Sequence, residues 1–148
     1  MTSKPVWHGI GLESLREYLA KFVAPIPMLK EAIKKEKWFS GIVMASAFFE
    51  LVGLELLKRK FKNKISSEKL ENLRLEQIIL VLYGSKIINQ PTYTKMMEVK
   101  DVRNRIVHNP HELEKLKEKD ARKLIKNAID CLKALGVHEK EPKIVIAV

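Results

Sequence analysis

The chain is poor in several residue types that would define a particular class of protein. Only one of its 148 residues, Cys131, is a cysteine, so an internal disulfide is excluded. Aromatic residues make up 7%, and they are not interleaved with basic residues as on a surface that stacks single-stranded RNA bases. Runs typical of β-strands are almost absent, and no internal repeat or low-complexity linker is present. These absences favour a single domain built from helices.

The residues that are abundant describe a globular, basic protein. Hydrophobic residues make up 46% and charged residues 31%, proportions typical of a folded domain. The length suits one domain, which we place at residues 1–148. Lysine and arginine outnumber aspartate and glutamate by 28 to 18, which gives a net charge of +10. This balance predicts a polyanionic partner, with nucleic acid ahead of an acidic membrane surface, or simply a lysine-rich solvated surface.

The same features predict the compartment. Cys131 lies within an amphipathic pattern, as a small buried residue in a reducing compartment would. Residues 1–11 contain no apolar run and no cleavage-like site. The most hydrophobic segment, 41–57, contains Glu50 and Glu55 and is short for a bilayer span, so we assign it to a core helix. We therefore expect a cytoplasmic protein without a membrane partner.

Hydrophobic residues repeat at helical intervals along most of the chain. The pattern predicts helices over residues 12–22, about 28–37, about 39–61, 70–83, 92–107 and 121–135. Gly136 suits the end of the last helix, and the apolar tail 143–148 is predicted either to dock as an extended strand or to fray. The predicted fold class is all-α, an up-and-down bundle of about five helices with a short extended carboxy-terminal tail.

One predicted helix carries a thin polar stripe on an otherwise apolar surface. On a helical wheel, the segment 41–57 has apolar residues on almost every side apart from Ser46, Glu50 and Gly53. A helix that is apolar all round is buried in its bundle or against a second subunit. Glu50 is therefore predicted to be paired, protonated or lining a cavity, unless it is a boundary residue that reaches solvent.

The helix predicted over residues 92–107 places an arginine inside its apolar face. At about 100° per residue, Arg103 is flanked one turn away on each side by Val99 and Val107. An arginine in a packing face needs an anion, and its planar guanidinium suits a carboxylate or a phosphate. We therefore predict that Arg103 either pairs with Glu50 or lines a cleft that receives a phosphate, with Glu50 as a substrate-binding candidate.

The corner after this helix combines an imidazole with a helix-start signal. Asn109 precedes Pro110, which ends the helix near His108. Asn109 is predicted to be the N-cap of the next helix, with Pro110 as its first residue and Glu112 completing a capping box. The N–H groups at that helix start could hold a phosphate oxygen, which makes Asn109 a second substrate-binding candidate.

The two histidines of this corner have several possible roles. Arg103 and His108 are five residues apart, so on one helix their side chains point in directions that differ by more than about 100°. A two-fold dimer would bring two such pairs towards a shared cleft. A lone histidine at a helix corner is more often a capping or surface residue than a catalyst. His108 and His111 would provide two metal ligands without an evident third, so we predict no metal.

The segment 103–108, Arg-Asn-Arg-Ile-Val-His, resembles the Arg-(four to six residues)-His motif of HEPN domains, including the polar residue after the arginine. The predicted helical layout is similar to that family as well. The resemblance implies a homodimer whose paired motifs form a metal-independent endoribonuclease site, and we expect no cofactor. It implies that His108 handles the proton of the attacking ribose 2′-hydroxyl or of the leaving group. Arg103 would stabilise charge on the scissile phosphate, and Asn104 would orient His108 or the phosphate.

The resemblance also suggests partners, and it leaves alternatives open. Arg105, together with Lys58, Arg59 and Lys60, is expected to attract the RNA backbone, which predicts salt-sensitive binding. The protein would be the toxin or defence component of a two-gene module, and a separately encoded nucleotidyltransferase is a candidate partner because some HEPN domains pair with one. A non-catalytic HEPN scaffold that binds RNA or dimerises is the main alternative. A DNA-binding helical protein ranks third, since no recognition-helix pair follows a short glycine turn.

Overall fold

The computed structural model describes residues 24–139, which form an all-α bundle without a strand in that range. Its helices are α1 (Pro25–Lys34), α2 (Trp38–Lys60), α3 (Ser67–Glu71), α4 (Leu75–Gly84), α5 (Gln90–His108), α6 (Glu112–Lys115) and α7 (Glu118–Ala134). Five of these seven have ten residues or more, so the predicted fold class is confirmed. The predicted helix over 12–22 and the predicted tail 143–148 lie outside the described residues.

Helix α2 is the central element, as the apolar wheel of residues 41–57 predicts. It packs against α1, α4, α5 and α7. At two of its glycines, side chains of α7 and α4 pack directly against the helix backbone. A Cβ atom on Gly41 would lie 2.5 Å from the Ile125 side chain, and one on Gly53 would lie 2.8 Å from Ile78. By length and composition α2 could also cross a membrane, but most of its apolar stretch is buried inside the bundle. It is therefore a core helix.

Helices α4 and α5 run antiparallel, and two contacts set their register. The rings of Tyr83, near the end of α4, and Tyr93, near the start of α5, stack with centroids 4.6 Å apart. At the other end, the Lys100 ammonium of α5 lies 3.3 Å from a carboxylate oxygen of Glu76 in the first turn of α4. Because later residues of α4 meet earlier residues of α5, the pair matches the predicted up-and-down arrangement.

The prediction of one helix over residues 70–83 is wrong, because α3 ends before α4 begins. The Ser66 hydroxyl caps α3 as the sequence indicates, accepting a hydrogen bond from the Lys69 N–H at 3.2 Å. Arg74 then adopts an extended backbone conformation and its N–H donates to the Gln77 side chain at 2.8 Å. A new helix start is thereby satisfied by a local hydrogen bond without glycine or proline at the break.

The end of α7 agrees with the sequence. Gly136 has a φ of 95°, a left-handed conformation that glycine adopts without strain. The N–H groups of Gly136 and Val137 donate to the carbonyl oxygens of Lys133 and Leu132, both at 3.0 Å, in a Schellman motif. The apolar residues that define this helix and its last turn are all buried: Ala121, Leu124, Ile125, Ala128, Ile129, Leu132 and Leu135.

The corner after α5 differs from its prediction. α5 does end at His108, but Asn109 is not the N-cap of the next helix. Its side-chain oxygen accepts from the His111 N–H, two residues on, at 3.2 Å, and the single-turn helix α6 starts only at Glu112. This local turn competes successfully with capping, as asparagine side chains often do. The Glu112 carboxylate pairs with Lys115 at 2.9 Å instead of completing a capping box.

Candidate functional site

The candidate site is built on α5, whose apolar face holds the helix in the bundle. The residues that face α2, α4 and α7 include Met96, Val99, Val102 and Ile106, all of them buried. Arg103 lies at the edge of the same face and is half-buried. The prediction places Arg103 between two packing residues, but only Val99 is buried and Val107 is exposed, so the arginine borders the packing face.

The Arg103 guanidinium has a donor that residues 24–139 do not satisfy. Its Nε atom is buried and makes no hydrogen bond to any of them, and no ion pair to Arg103 occurs within that range. Leaving a buried donor without an acceptor costs about 1–3 kcal/mol, so native proteins rarely keep one without a functional reason. Because Nε is closed to solvent, an anion would supply the missing acceptor only if the side chains that cover this atom moved.

The structure does not bring Glu50 to Arg103. Glu50 is exposed on α2 and makes no ion pair with the arginine. The other two members of the predicted polar stripe are explained by packing: the Ser46 hydroxyl donates to the Val43 carbonyl oxygen at 2.8 Å, and Gly53 permits the close contact with α4. Glu50 is instead the boundary residue that reaches solvent, so the predicted Arg103–Glu50 pair is not found, and a phosphate-binding cleft at Arg103 stays a prediction.

Asn104 and His108 lie on the same side of α5, one turn apart. Asn104 is half-buried and His108 is exposed, at the last position of the helix. Side chains four residues apart on a helix are neighbours, so the Asn104 amide is placed to reach the imidazole. Arg103 and His108 are separated by about 140° around the helix, which places them on different sides of a single subunit.

The predicted phosphate site at Asn109 is not formed. The N–H groups of Glu112, Leu113 and Glu114 all donate to carbonyl oxygens within the turn, at 2.9 to 3.1 Å. These donors are occupied, and a helix of one turn has only a small dipole to attract an anion. Asn109 therefore acts as a turn residue, which removes one of the substrate-binding candidates.

Lys100 is a polar residue of this region that the sequence did not single out. Its side chain is only 7% exposed, and its ammonium lies 2.6 Å from a carboxylate oxygen of Asp101 and 3.3 Å from one of Glu76. Burial works against its charged form, but the hydrogen bonds and charges of Asp101 and Glu76 outweigh it and raise the pKa of Lys100. One helical turn separates Lys100 from Arg103, so the two cations are neighbours.

The other predicted RNA-contacting cations differ in how far they are neutralised. Arg105 is exposed on α5, and Lys60 is exposed at the end of α2. Lys58 pairs with Glu71 of α3, and Arg59 lies 3.5 Å from Glu55 one turn earlier. Arg105 and Lys60 are therefore the two whose charge is most available to a polyanion.

The chemistry of the described residues gives no metal centre, and the comparisons give no relative. Within residues 24–139, no three side chains of histidine, cysteine, aspartate or glutamate gather closely enough to hold a metal ion. Comparison with known protein families, curated proteins and solved structures finds no match for the chain. Function must therefore be inferred from the residues of α5.

Proposed function

We propose that this protein is a metal-independent endoribonuclease of the HEPN type, acting as a homodimer with Arg103, Asn104 and His108 at its site. The observation that carries the proposal is the half-buried Arg103, whose Nε has no acceptor in the described protein, on the same helix as an exposed imidazole. Guanidinium for a phosphate and imidazole for a proton are the two groups that RNA cleavage by its own 2′-hydroxyl requires. The basic charge of the chain favours a polyanionic substrate.

The proposed reaction needs no group beyond these side chains. One His108 imidazole takes the proton of a ribose 2′-hydroxyl, whose oxygen attacks the adjacent phosphorus. The bond from phosphorus to the 5′-oxygen breaks, and that oxygen leaves with a proton from a second, protonated imidazole. Arg103 donates hydrogen bonds to the phosphate oxygens, on which negative charge increases in the transition state. The products are a 2′,3′-cyclic phosphate and a 5′-hydroxyl.

The proposed homodimer follows from the angle between the two groups. Because Arg103 and His108 point about 140° apart on α5, one subunit cannot direct both at the same phosphate, whereas two copies related by a two-fold axis can combine their groups. Val107, which lies beside His108, is 48% exposed, and contact with a second subunit would cover it. The same resemblance motivates the proposal that the enzyme is the toxin or defence component of a two-gene module.

A non-catalytic HEPN protein that binds RNA or dimerises is the second candidate. One observation favours it: within residues 24–139, the His108 imidazole has no hydrogen-bond partner that would fix its orientation. Catalytic histidines are usually oriented by a third group. In this alternative Arg103 still binds a phosphate, but no bond is broken.

The deciding experiment is cleavage of RNA in the presence of EDTA. We expect the wild type to cleave a single-stranded RNA and both His108→Ala and Arg103→Ala to lose at least about a hundredfold in rate, the usual contribution of a general acid or base. His111→Ala is the matched control, because His111 lies at the same corner and pairs with Glu114 at 3.6 Å. It should cleave as the wild type does.

Three other results are informative. Cleavage that survives both the His108→Ala and the Arg103→Ala substitution would exclude the proposed site. RNA binding that depends on Arg103 without any cleavage by an intact dimer would favour the scaffold. A substrate with 2′-deoxyribose on the 5′ side of the scissile phosphate should resist cleavage, because the attacking hydroxyl is missing.

A further inference from the structure

Two cations one turn apart on α5, Lys100 and Arg103, have very different partners within residues 24–139. Lys100 is buried and holds two carboxylates, Glu76 from α4 and Asp101 from its own helix. Arg103, one turn later, holds none within residues 24–139 and leaves its Nε without an acceptor. Both nearby carboxylates therefore contact Lys100, and neither contacts Arg103.

This distribution matters because a carboxylate is the natural competitor of a phosphate for a guanidinium. Both anions accept paired hydrogen bonds from the planar fork of arginine. Side chains three residues apart on a helix have Cβ atoms about 5–6 Å from each other, so the Glu76 carboxylate, which approaches Lys100 from α4, can turn towards Arg103, whereas Asp101, two residues before Arg103, points to the opposite side of α5. The Glu76 carboxylate is also free to move, since its side chain is 57% exposed.

We propose that Lys100 is a positioning residue, which holds Glu76 away from Arg103 and so keeps the guanidinium free for a phosphate. The identity of that phosphate as part of an RNA rests on the proposed function. The pairing between Lys100 and Glu76 does not depend on the proposed function, because it concerns only which cation the carboxylate contacts. Lys100 does not touch the substrate, and its effect passes through Arg103.

The test replaces Lys100 with an uncharged side chain of similar length. In Lys100→Met we expect Glu76 to pair with Arg103, which shifts the Arg103 Nε–H signal in a ¹H–¹⁵N NMR spectrum and slows its exchange with water. Binding of a non-cleavable 2′-O-methyl RNA should weaken about tenfold to a hundredfold, approaching the affinity of Arg103→Ala. Lys95→Met removes the same charge from the same helix and should change neither measurement by more than about twofold.

Rescue separates this role from a structural one. Adding Glu76→Gln to Lys100→Met removes the competing carboxylate, so the Arg103 signal and the RNA affinity should return to within about twofold of the wild type. If Lys100→Met proves poorly folded, Lys100→Gln replaces it in both experiments. The inference would be overturned if the Arg103 Nε–H signal in the Lys100 variant matched that of the wild type. It would also be overturned if the added Glu76→Gln substitution left the loss of affinity unchanged. RNA binding that is insensitive to Arg103→Ala would instead refute the proposed function, while the Arg103 signal still tests Lys100.

Discussion

Replacing Arg103 with methionine should make the protein more stable while it removes the proposed phosphate binding. The buried Nε without an acceptor is a cost that the folded state carries and the unfolded state, fully hydrated, does not. Methionine keeps the apolar stem of the side chain and removes that donor. Only one nitrogen of a half-buried residue is affected, so we take the low end of the usual penalty, about 1 kcal/mol. For a domain of this size that corresponds to a rise in Tm of about 3–5 °C.

The assay is thermal and urea unfolding of the wild type, Arg103→Met and a control, Arg105→Met. The control removes a positive charge two residues away, from an exposed position of the same helix, so it measures any relief of charge repulsion in a protein of net charge +10. Its stability should change by less than about 0.5 kcal/mol. An Arg103→Met variant that is less stable than both proteins would mean that the guanidinium contributes favourably to folding, and the argument that it is reserved for a ligand would fail.

Two further predictions concern the core. Gly53→Ala should destabilise the fold by about 1 kcal/mol in urea unfolding, because overpacking against Ile78, at 2.8 Å from the new Cβ, exceeds the gain in helix propensity of about 1 kcal/mol. Gly84→Ala, whose Cβ would meet no atom within 4 Å, should not be destabilised, and equal stability of the two variants would contradict this account. Burial raises the pKa of the Cys131 thiol to about 12, so we expect no labelling by a thiol reagent at pH 8 until the protein unfolds. Immediate labelling of the native protein would show that the thiol is accessible.

The helices were predictable because each one buries one face, and the hydrophobic residues of that face recur at helical intervals. The apolar residues that recur over 121–135 predicted α7, and the fold buries them. Gly136 marked the end of the helix, because its backbone conformation favours glycine. The break between α3 and α4 carries no such mark. Leu70 and Leu75, on either side of it, are both buried, and this packing of two separate helices against the core is a tertiary effect that a local pattern does not contain.

The candidate site was predictable only in part, for a similar reason. Arg103 stands out because the wheel of a single helix places it inside an apolar face. Whether Glu50 and Lys100 are covered depends instead on neighbouring helices: α4 approaches the side of α5 that carries Lys100, whereas Glu50 of α2 is left open to solvent. A wheel drawn for one helix does not separate these cases: it left Glu50 either paired in the bundle or open to solvent, of which the second is found, and it did not single out the buried Lys100.

The corner formed by α6 gives the two ends of the motif unequal rigidity. α6 has a single turn and no buried residue, and only the partly buried Leu113 and Leu116 tie this segment to the core, so little apolar contact opposes its local opening. Amide protons over 111–116 should consequently exchange with solvent far faster than those of the buried turns of α5 around Ile106, which is 1% exposed. His108 lies at the boundary between these two segments, whereas Arg103 lies within the helical turns of α5. The proposed site would therefore combine a cation on a stable helix with an imidazole next to a segment that opens easily.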